Sequence, residues 1–312
     1  MPQQHYIFGY GSLICAKSRA ATASALGVVG EAGDRNKHNT GGIPVRLNNW
    51  MRLWNLQGPN TYLGVQKSNT NTNSSSPRVS CVGVLVPLPS SKQNETGGSK
   101  NDEDEVLEAL DRRERGYYRH SVDLSSIERV DDLLLTNIAE SERCDQAIED
   151  RYYKHTFLRR KNDTSTNGND NTIRSPTQND DVVCKVWIYV PQDCYSGMAC
   201  PQKPILQSYV DICLRGCLSI SESFAREFIA STYGWYPGHG HLLLTGHSVG
   251  EKCFESKRSV DESNAVVSSC IKHCWINDRE RPIYVRADRN FSIGNSELLD
   301  ALFDPQLLER RR

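Results

Sequence analysis

The chain lacks the long apolar runs and the one-sided charge that mark several large protein classes. No stretch of its 312 residues approaches the 18 consecutive apolar residues that predict a membrane span. Its 37 Lys and Arg residues are matched by 38 Asp and Glu residues, whereas a broad nucleic-acid surface requires a basic face. These absences predict a protein with neither a membrane nor a nucleic-acid partner.

Cysteine is plentiful, at 11 residues, but no two of them form a C-x-x-C pair. The N-terminus also lacks a basic segment followed by an apolar run, so no signal peptide is predicted. An odd number of cysteines without a secretion signal favours free thiols in a reducing compartment, and we expect a cytoplasmic protein.

Three polar inserts interrupt the apolar segments, near residues 67–78, 90–104 and 161–181. Such stretches of Ser, Asn, Thr, Asp and Gly bury too little apolar area to offset the entropy of ordering them, so we expect disorder there. The strands predicted from alternating or clustered apolar residues are 50–55, 61–66, 79–86 and 182–190. The first insert is then an enlarged hairpin loop between the strands at 61–66 and 79–86.

Helices are predicted over residues 103–115, 203–231 and 296–312. The last of them would end in Arg310-Arg311-Arg312, a solvated run whose charge suits the negative end of a helix dipole. Several strands with one clear helix among them favour an α+β fold built on a barrel over a doubly wound sheet.

An apolar strand at the start of the chain runs directly into a turn with two glycines and a serine, in the order Tyr6-Ile7-Phe8-Gly9-Tyr10-Gly11-Ser12-Leu13. Glycine permits positive φ angles and lets a ligand approach the main chain closely. Backbone N–H groups in such a turn can converge on an anion or on a polarised carbonyl.

A carboxylate, Glu114, follows about a hundred residues later on the predicted helix 103–115, which would stop at Gly116. Leu107, Leu110 and Glu114 have the spacing i, i+3 and i+7, so they share one helix face, while Arg113 and its basic neighbours lie largely on other faces. A carboxylate on the core side either pairs with an arginine at the rim of the core or, because burial raises its pKa, transfers protons near neutral pH.

Together the two segments resemble the gamma-glutamylcyclotransferase superfamily, whose members carry a Tyr-Gly-Ser turn and one catalytic glutamate followed by a tyrosine and a strand. The resemblance covers roughly residues 5–190. Leu13 follows the serine as in the ChaC-type branch, but the His-Arg-Gly and Pro-Gly-Arg segments of that branch are missing. The animal enzymes have asparagine in place of Leu13, so the chain fits neither branch cleanly.

The resemblance implies a small mixed β-barrel with flanking helices, and a reaction that needs no cofactor or metal. The α-amine of a γ-glutamyl group would attack its own γ-carbonyl, releasing 5-oxoproline and an amine, with glutathione or a related γ-glutamyl compound as substrate. Glu114 would be the proton shuttle, and Tyr10, Gly11, Ser12, Leu13 and Tyr117 would bind the substrate. Residues 1–190 would form this catalytic domain, and residues 191–312 a mostly helical C-terminal extension packed on the core and shaping one wall of the pocket.

Three alternatives stay open. The same fold could serve as a non-catalytic binding module. Gly246-His247-Ser248-Val249-Gly250 matches the nucleophile elbow of serine hydrolases, although the polar sequence that follows does not suit the helix an elbow requires. The pairs Cys213 with Cys217 and Cys270 with Cys274, near His239, His241 and His273, have a spacing that zinc sites permit without requiring it.

Overall fold

The structure is a computed structural model that describes residues 3–25, 42–68, 79–88, 102–130, 183–235 and 274–311. Its strands, in chain order, are β1 (Gln3–Gly9), β2 (Ile43–Asn48), β3 (Trp50–Gln57), β4 (Thr61–Lys67), β5 (Ser80–Pro87), β6 (Tyr117–Val122), β7 (Ile127–Arg129), β8 (Val183–Pro191), β9 (Ile205–Leu206), β10 (Thr232–Tyr233) and β11 (Trp275–Ile276). Its α-helices are α1 (Ala16–Ala25), α2 (Asp102–Arg113), α3 (Gln207–Leu218), α4 (Glu222–Ala230), α5 (Arg289–Gly294), α6 (Ser296–Asp300) and α7 (Pro305–Leu308).

Two mixed sheets form the framework, which confirms the α+β class. The first sheet has the order β6-β8-β1-β5-β2-β7, and the second has the order β10-β3-β4-β9-β11. Both sheets are open within the described residues, so the predicted small mixed β-barrel is not confirmed. In this part of the chain, the first sheet ends at β6 and β7, which pair only with β8 and β2.

The predicted hairpin between β4 and β5 is also wrong. β4 pairs with β3 and β9 in the second sheet, whereas β5 pairs with β1 and β2 in the first. The first insert therefore connects two sheets. Its residues 69–78, and most of the other two inserts, lie outside the described part of the chain.

The first predicted helix is confirmed as α2, but the other two differ from the prediction. Residues 203–231 contain β9 and then two helices, because Ser221 caps a new helix by accepting a hydrogen bond from the Phe224 N–H at 3.0 Å. The predicted final helix is divided into α6 and α7, since Asp304 and Pro305 begin a new helix there.

The second sheet combines strands from both sides of residue 190. β3 and β4 belong to the N-terminal part, and β9, β10 and β11 belong to the C-terminal part. Helix α3 is buried along nearly its whole length against this framework. The C-terminal part is therefore built into the core, and none of the helices in the described ranges has the length and hydropathy that crossing a membrane requires.

A group of paired charges, here called the C-terminal ion cluster, holds the last helices against α3. It consists of Asp211, Arg279, Asp300 and Arg311. Arg279 Nε lies 2.8 Å from Asp211, and its Nη2 lies 2.8 Å from Asp300. Arg311 donates two hydrogen bonds of 2.7 Å to Asp300. Arg311 is thus paired inside the protein, which corrects the prediction of a solvated basic run at the C-terminus.

Candidate active site

The glycine turn follows β1 and is closed by a hydrogen bond of 2.9 Å from the Ile14 N–H to the Gly11 carbonyl. Gly11 does not have a positive φ angle, in contrast to the sequence-based expectation. Its role is to leave space, because a Cβ at this position would lie 2.7 Å from the Tyr209 hydroxyl. The turn and α3 can therefore be this close only with glycine at position 11.

The end of α2 places Glu114. Its N–H still donates to the Leu110 carbonyl at 2.9 Å, and Gly116 then stops the helix with a φ of +93°. The Tyr117 N–H donates to the Glu114 carbonyl at 3.0 Å, so the chain turns immediately into β6. The carboxylate side chain is left 16% exposed, inside a cavity.

Arg113 joins this carboxylate to the glycine turn. Arg113 Nε lies 2.7 Å from Glu114 Oε1, and an Nη2 of the same guanidinium donates to Ser12 Oγ at 3.2 Å. The Arg113 side chain is only 4% exposed, although the helix spacing places it largely off the apolar face. Its ion pair with Glu114 and its hydrogen bond to Ser12 accompany this burial, and helix periodicity indicates neither of them.

Burial raises the pKa of Glu114, and this effect outweighs the lowering by the positive charges of Arg113 and Arg286. The carboxyl therefore holds its proton to a higher pH than a solvated glutamate. Glu114 therefore pairs with an arginine and also faces a cavity, and proton transfer by this carboxyl stays a prediction.

The cavity has a volume of about 430 Å³ and is lined by 17 residues. Ser12 and Glu114 lie in it together with three arginines and an aromatic wall. The arginines are Arg113, Arg115 and Arg286. The wall consists of Tyr62, Tyr117, Tyr195, Tyr209 and Tyr284.

The aromatic wall is held by ring contacts and by hydrogen bonds to the backbone. The Tyr209 ring lies edge-on to Tyr284 and to Tyr62, at centroid distances of 4.9 Å and 5.2 Å. The Tyr117 hydroxyl donates to the Leu63 carbonyl at 2.6 Å. Burial raises the pKa of Tyr284, although hydrogen bonds with the Ser12 and Arg286 side chains oppose the rise.

The part of the wall that comes from residues 283–286 is fixed to the start of α3. The Asp278 carboxylate accepts hydrogen bonds from the Ser208 N–H at 2.7 Å and from the Ile283 N–H at 2.8 Å. The Tyr284 N–H donates to Ser208 Oγ at 3.3 Å. Because these bonds fix the backbone of the segment, Tyr284 and Arg286 enter the cavity from a defined direction.

The residues predicted from the sequence do not all reach the cavity. Ser12, Glu114 and Tyr117 line it, and Gly11 lies behind Tyr209. The Tyr10 hydroxyl donates instead to the Tyr189 carbonyl at 2.6 Å, and both Tyr10 and Leu13 are buried in the core. Burial raises the pKa of Tyr10, and Tyr117 and Glu114 raise it further, so the Tyr10 hydroxyl lies next to two residues that line the cavity.

Sequence reasoning missed Tyr284 and Arg286. Both lie in the C-terminal part of the chain. The sequence predicts that this part shapes one wall of the pocket, but it predicts no catalytic or binding residue there. In Ile283-Tyr284-Val285-Arg286 the side chains alternate between exposed and partly or fully buried. The aliphatic residues Ile283 and Val285 are the exposed ones, so the polarity pattern of this segment gives no signal for the two inward positions.

The alternative sites fall mostly outside the described residues, which exclude Ser248, Cys270, His239, His241 and His273. Burial raises the pKa values of Cys213 and Cys217, so these thiols are poor nucleophiles and poor metal ligands. Within the ranges that the structure covers, no group of three or more His, Cys, Asp or Glu side chains is arranged to hold a metal ion.

Comparisons with known proteins add no assignment. No family model, no curated protein and no solved structure matches this chain. The function is therefore argued from the residues and from the geometry of the cavity alone.

Proposed function

We propose that the cavity catalyses γ-glutamyl cyclotransfer, releasing 5-oxoproline and an amine from a γ-glutamyl compound. The observation that supports this most is the position of Glu114. It is a largely buried carboxyl of raised pKa, linked through one guanidinium to Ser12 of the glycine turn. A residue placed in this way can serve as both base and acid on a substrate held beside the turn.

In the proposed reaction, the Glu114 carboxylate first accepts a proton from the α-ammonium of the substrate. The free amine attacks the γ-carbonyl carbon, forming a C–N bond and a tetrahedral oxyanion. The C–N bond of the original γ-amide then breaks as Glu114 gives its proton to the departing nitrogen. The regenerated carboxylate accepts the extra proton that the ring nitrogen still carries and passes it to the released amine, which leaves as an ammonium. The four N–H protons of the substrate are then all present in 5-oxoproline and the ammonium product, and neither a cofactor nor water is consumed.

The groups near Glu114 suit the charges that this reaction generates. N–H groups of the Gly11–Leu13 turn and the Ser12 hydroxyl are the donors offered to the oxyanion or to the α-carboxylate. Arg113 holds the Glu114 carboxylate in place at 2.7 Å. Because the ring closure is intramolecular, a cavity that keeps the substrate folded supplies a large part of the rate enhancement.

The direct test measures 5-oxoproline released from glutathione, γ-glutamyl-alanine and a γ-glutamyl-amine. Glu114→Gln preserves size but removes the base, so turnover should fall by roughly 10²- to 10⁴-fold. The matched control is Glu108→Gln on the same helix, because Glu108 is exposed and pairs only weakly with Arg112 at 3.8 Å. This control should retain wild-type turnover.

Two results would decide against the proposal. Turnover by Glu114→Gln close to the wild-type rate would mean that the glutamate is not the proton shuttle. Binding of γ-glutamyl compounds by the wild-type protein with no 5-oxoproline released would favour the non-catalytic binding module.

A further inference from the structure

The cavity contains more positive than negative charge. Arg113 is engaged by Glu114 and Ser12. Arg115 and Arg286 also line the cavity, and neither forms a salt bridge with any carboxylate in the described ranges. The cavity therefore has three guanidinium groups for one carboxylate, and two of them have no anionic partner of their own.

The rim of the cavity is unusually apolar. Five large apolar side chains are conspicuously exposed in the described part of the protein. Three of these five line this one cavity, namely Tyr195 at 45%, Ile283 at 55% and Val285 at 85% exposure. Single exposed apolar residues need no explanation, but their concentration around one opening indicates a surface that contacts an apolar group.

We propose that the preferred substrates are γ-glutamyl dipeptides whose second residue is apolar and keeps a free carboxylate, and that Arg286 recognises this carboxylate. The inference rests on the proposed cyclotransferase function and adds the class of leaving group. It assigns a specificity role to a segment that lies outside the region of family resemblance.

The charges of such a substrate match those of the cavity. A γ-glutamyl dipeptide carries one ammonium and two carboxylates. In the proposed complex, the ammonium pairs with the Glu114 carboxylate. The α-carboxylate faces the glycine turn, which leaves the second carboxylate for a free guanidinium. A γ-glutamyl-amine without that carboxylate would leave Arg286 partly desolvated and without an anion, which is unfavourable.

Arg286 suits this role better than Arg115. Arg286 is partly buried, hydrogen-bonds to Tyr284, and is close enough to lower the pKa of Glu114. Arg115 is exposed, and ion pairs at exposed positions contribute little. A guanidinium fixed beside an aromatic wall can also bind a carboxylate through two parallel hydrogen bonds.

The apolar rim is adjacent to Arg286 in sequence and in space. In the leaving amino acid, the carboxylate and the side chain are attached to the same carbon. Val285 and Ile283 line the same opening as Arg286, so they can contact the side chain while the guanidinium holds the carboxylate. This pairing distinguishes an apolar amino acid from a simple amine and from glycine.

The test compares kcat/KM for γ-glutamyl-leucine, γ-glutamyl-leucinamide and γ-glutamyl-glycine, with 5-oxoproline as the readout. The wild-type protein should prefer the leucine acid to both others by about tenfold or more. Arg286→Gln should lower kcat/KM for the leucine acid by about 10- to 100-fold more than it lowers the value for leucinamide. Leucinamide turnover that persists shows that the variant is folded.

Two further variants separate the charge effect from the apolar effect. Val285→Ser should reduce the preference for leucine over glycine several-fold and leave glycine turnover unchanged. Arg281→Gln is the matched control, because Arg281 is exposed in the same segment and does not line the cavity. It should leave all three values unchanged.

The failure of this inference differs from the failure of the proposed function. Equal wild-type turnover of the leucine acid and the leucinamide, with 5-oxoproline released from both, overturns the inference and leaves the cyclotransferase in place. An equal loss on both substrates in Arg286→Gln also overturns it, since that result describes a structural arginine. If no substrate yields 5-oxoproline, the proposed function itself is wrong.

Discussion

Two groups of buried charge lie on different sides of α3, and they are organised in opposite ways. In the C-terminal ion cluster, Asp211 and Asp300 face Arg279 and Arg311, so two carboxylates balance two guanidiniums. Burial lowers the pKa of Arg279, but its hydrogen bonds with Asp211 and Asp300 outweigh burial and leave the value raised. The cluster has the charge balance expected of a structural element.

The charges in the cavity are unbalanced. Glu114 is opposed by Arg113, while Arg115 and Arg286 have no carboxylate of their own in the described ranges. Desolvation keeps the pKa of Glu114 raised despite the arginines. A protein gains little stability from such an arrangement, and perturbed groups of this kind concentrate at functional sites. The contrast predicts that the same type of substitution affects stability in one cluster and activity in the other.

The largest expected effect comes from breaking the balanced cluster. Asp211 is fully buried, and Asp211→Asn would leave Arg279 with one anionic partner instead of two. We expect the free energy of unfolding to fall by about 3 kcal/mol, measured by urea denaturation. Arg286→Gln in the cavity removes a charge that has no carboxylate partner of its own in the described ranges, and it should alter this free energy by less than about 1 kcal/mol. Equal losses in the two variants would contradict the distinction between the clusters.

The next effect concerns the space beside the glycine turn. Gly11→Ala would place a Cβ 2.7 Å from the hydroxyl of the fully packed Tyr209, so either the turn or the aromatic wall must shift. Because displacements of about 1 Å can lower turnover about 100-fold, we expect kcat for 5-oxoproline release to fall by about that factor. Gly58→Ala is the control at the same cavity, since its Cβ would meet only ordinary contacts at 3.6 Å and beyond.

The sequence predicts the local parts of this site better than its assembly. The end of α2 at Gly116 and the placement of Glu114 on the apolar face follow from helix periodicity and from the stop signal. The burial of Arg113 does not follow from that periodicity, because its partners Glu114 and Ser12 come together only in the folded protein. Local patterns do not indicate which strands share a sheet. For that reason the sequence could not predict that β4 and β5 belong to different sheets. It also could not predict that both sheets are open within the described residues.

The C-terminal wall of the cavity shows the same limit. Tyr284 and Arg286 reach Glu114 because Asp278 and Ser208 connect a loop to the start of α3 across 70 residues of sequence. Neither partner belongs to a recognisable motif. The pairing depends on tertiary packing that brings β9 and β11 side by side in the second sheet.

A third, smaller effect is a shift in pH dependence. Because the base form of Glu114 is required, activity should fall as the pH drops through its raised pKa. Arg113 and Arg286 hold this pKa down, so Arg113→Gln and Arg286→Gln should each move the acidic limb of kcat/KM to higher pH, with the larger shift for Arg113. Arg311→Gln, in the balanced cluster, should not move it. A shift to lower pH in either cavity variant would show that another group controls the limb.

The last variant, Ser248→Ala, is expected to leave 5-oxoproline release unchanged. Ser248→Ala removes the only nucleophile of the Gly246–Gly250 motif, which lies outside the described residues. If the cavity around Glu114 is the catalytic centre, 5-oxoproline release should equal that of the wild-type protein. Loss of activity in this variant would show that the reaction takes place at the Gly246–Gly250 motif. The charged groups in the cavity around Glu114 would then have no catalytic role.

The second sheet contains strands from both the early and the late parts of the chain. The cavity can therefore form only after the late part has been synthesised. A fragment ending at residue 190 would keep Glu114 and the glycine turn but lose six of the 17 lining residues, including Tyr284 and Arg286. On the ribosome, the pocket cannot close until β11 and the segment after it have emerged. If the proposed function is correct, a nascent or prematurely terminated polypeptide would therefore be unable to consume γ-glutamyl compounds, even though it already contains Glu114.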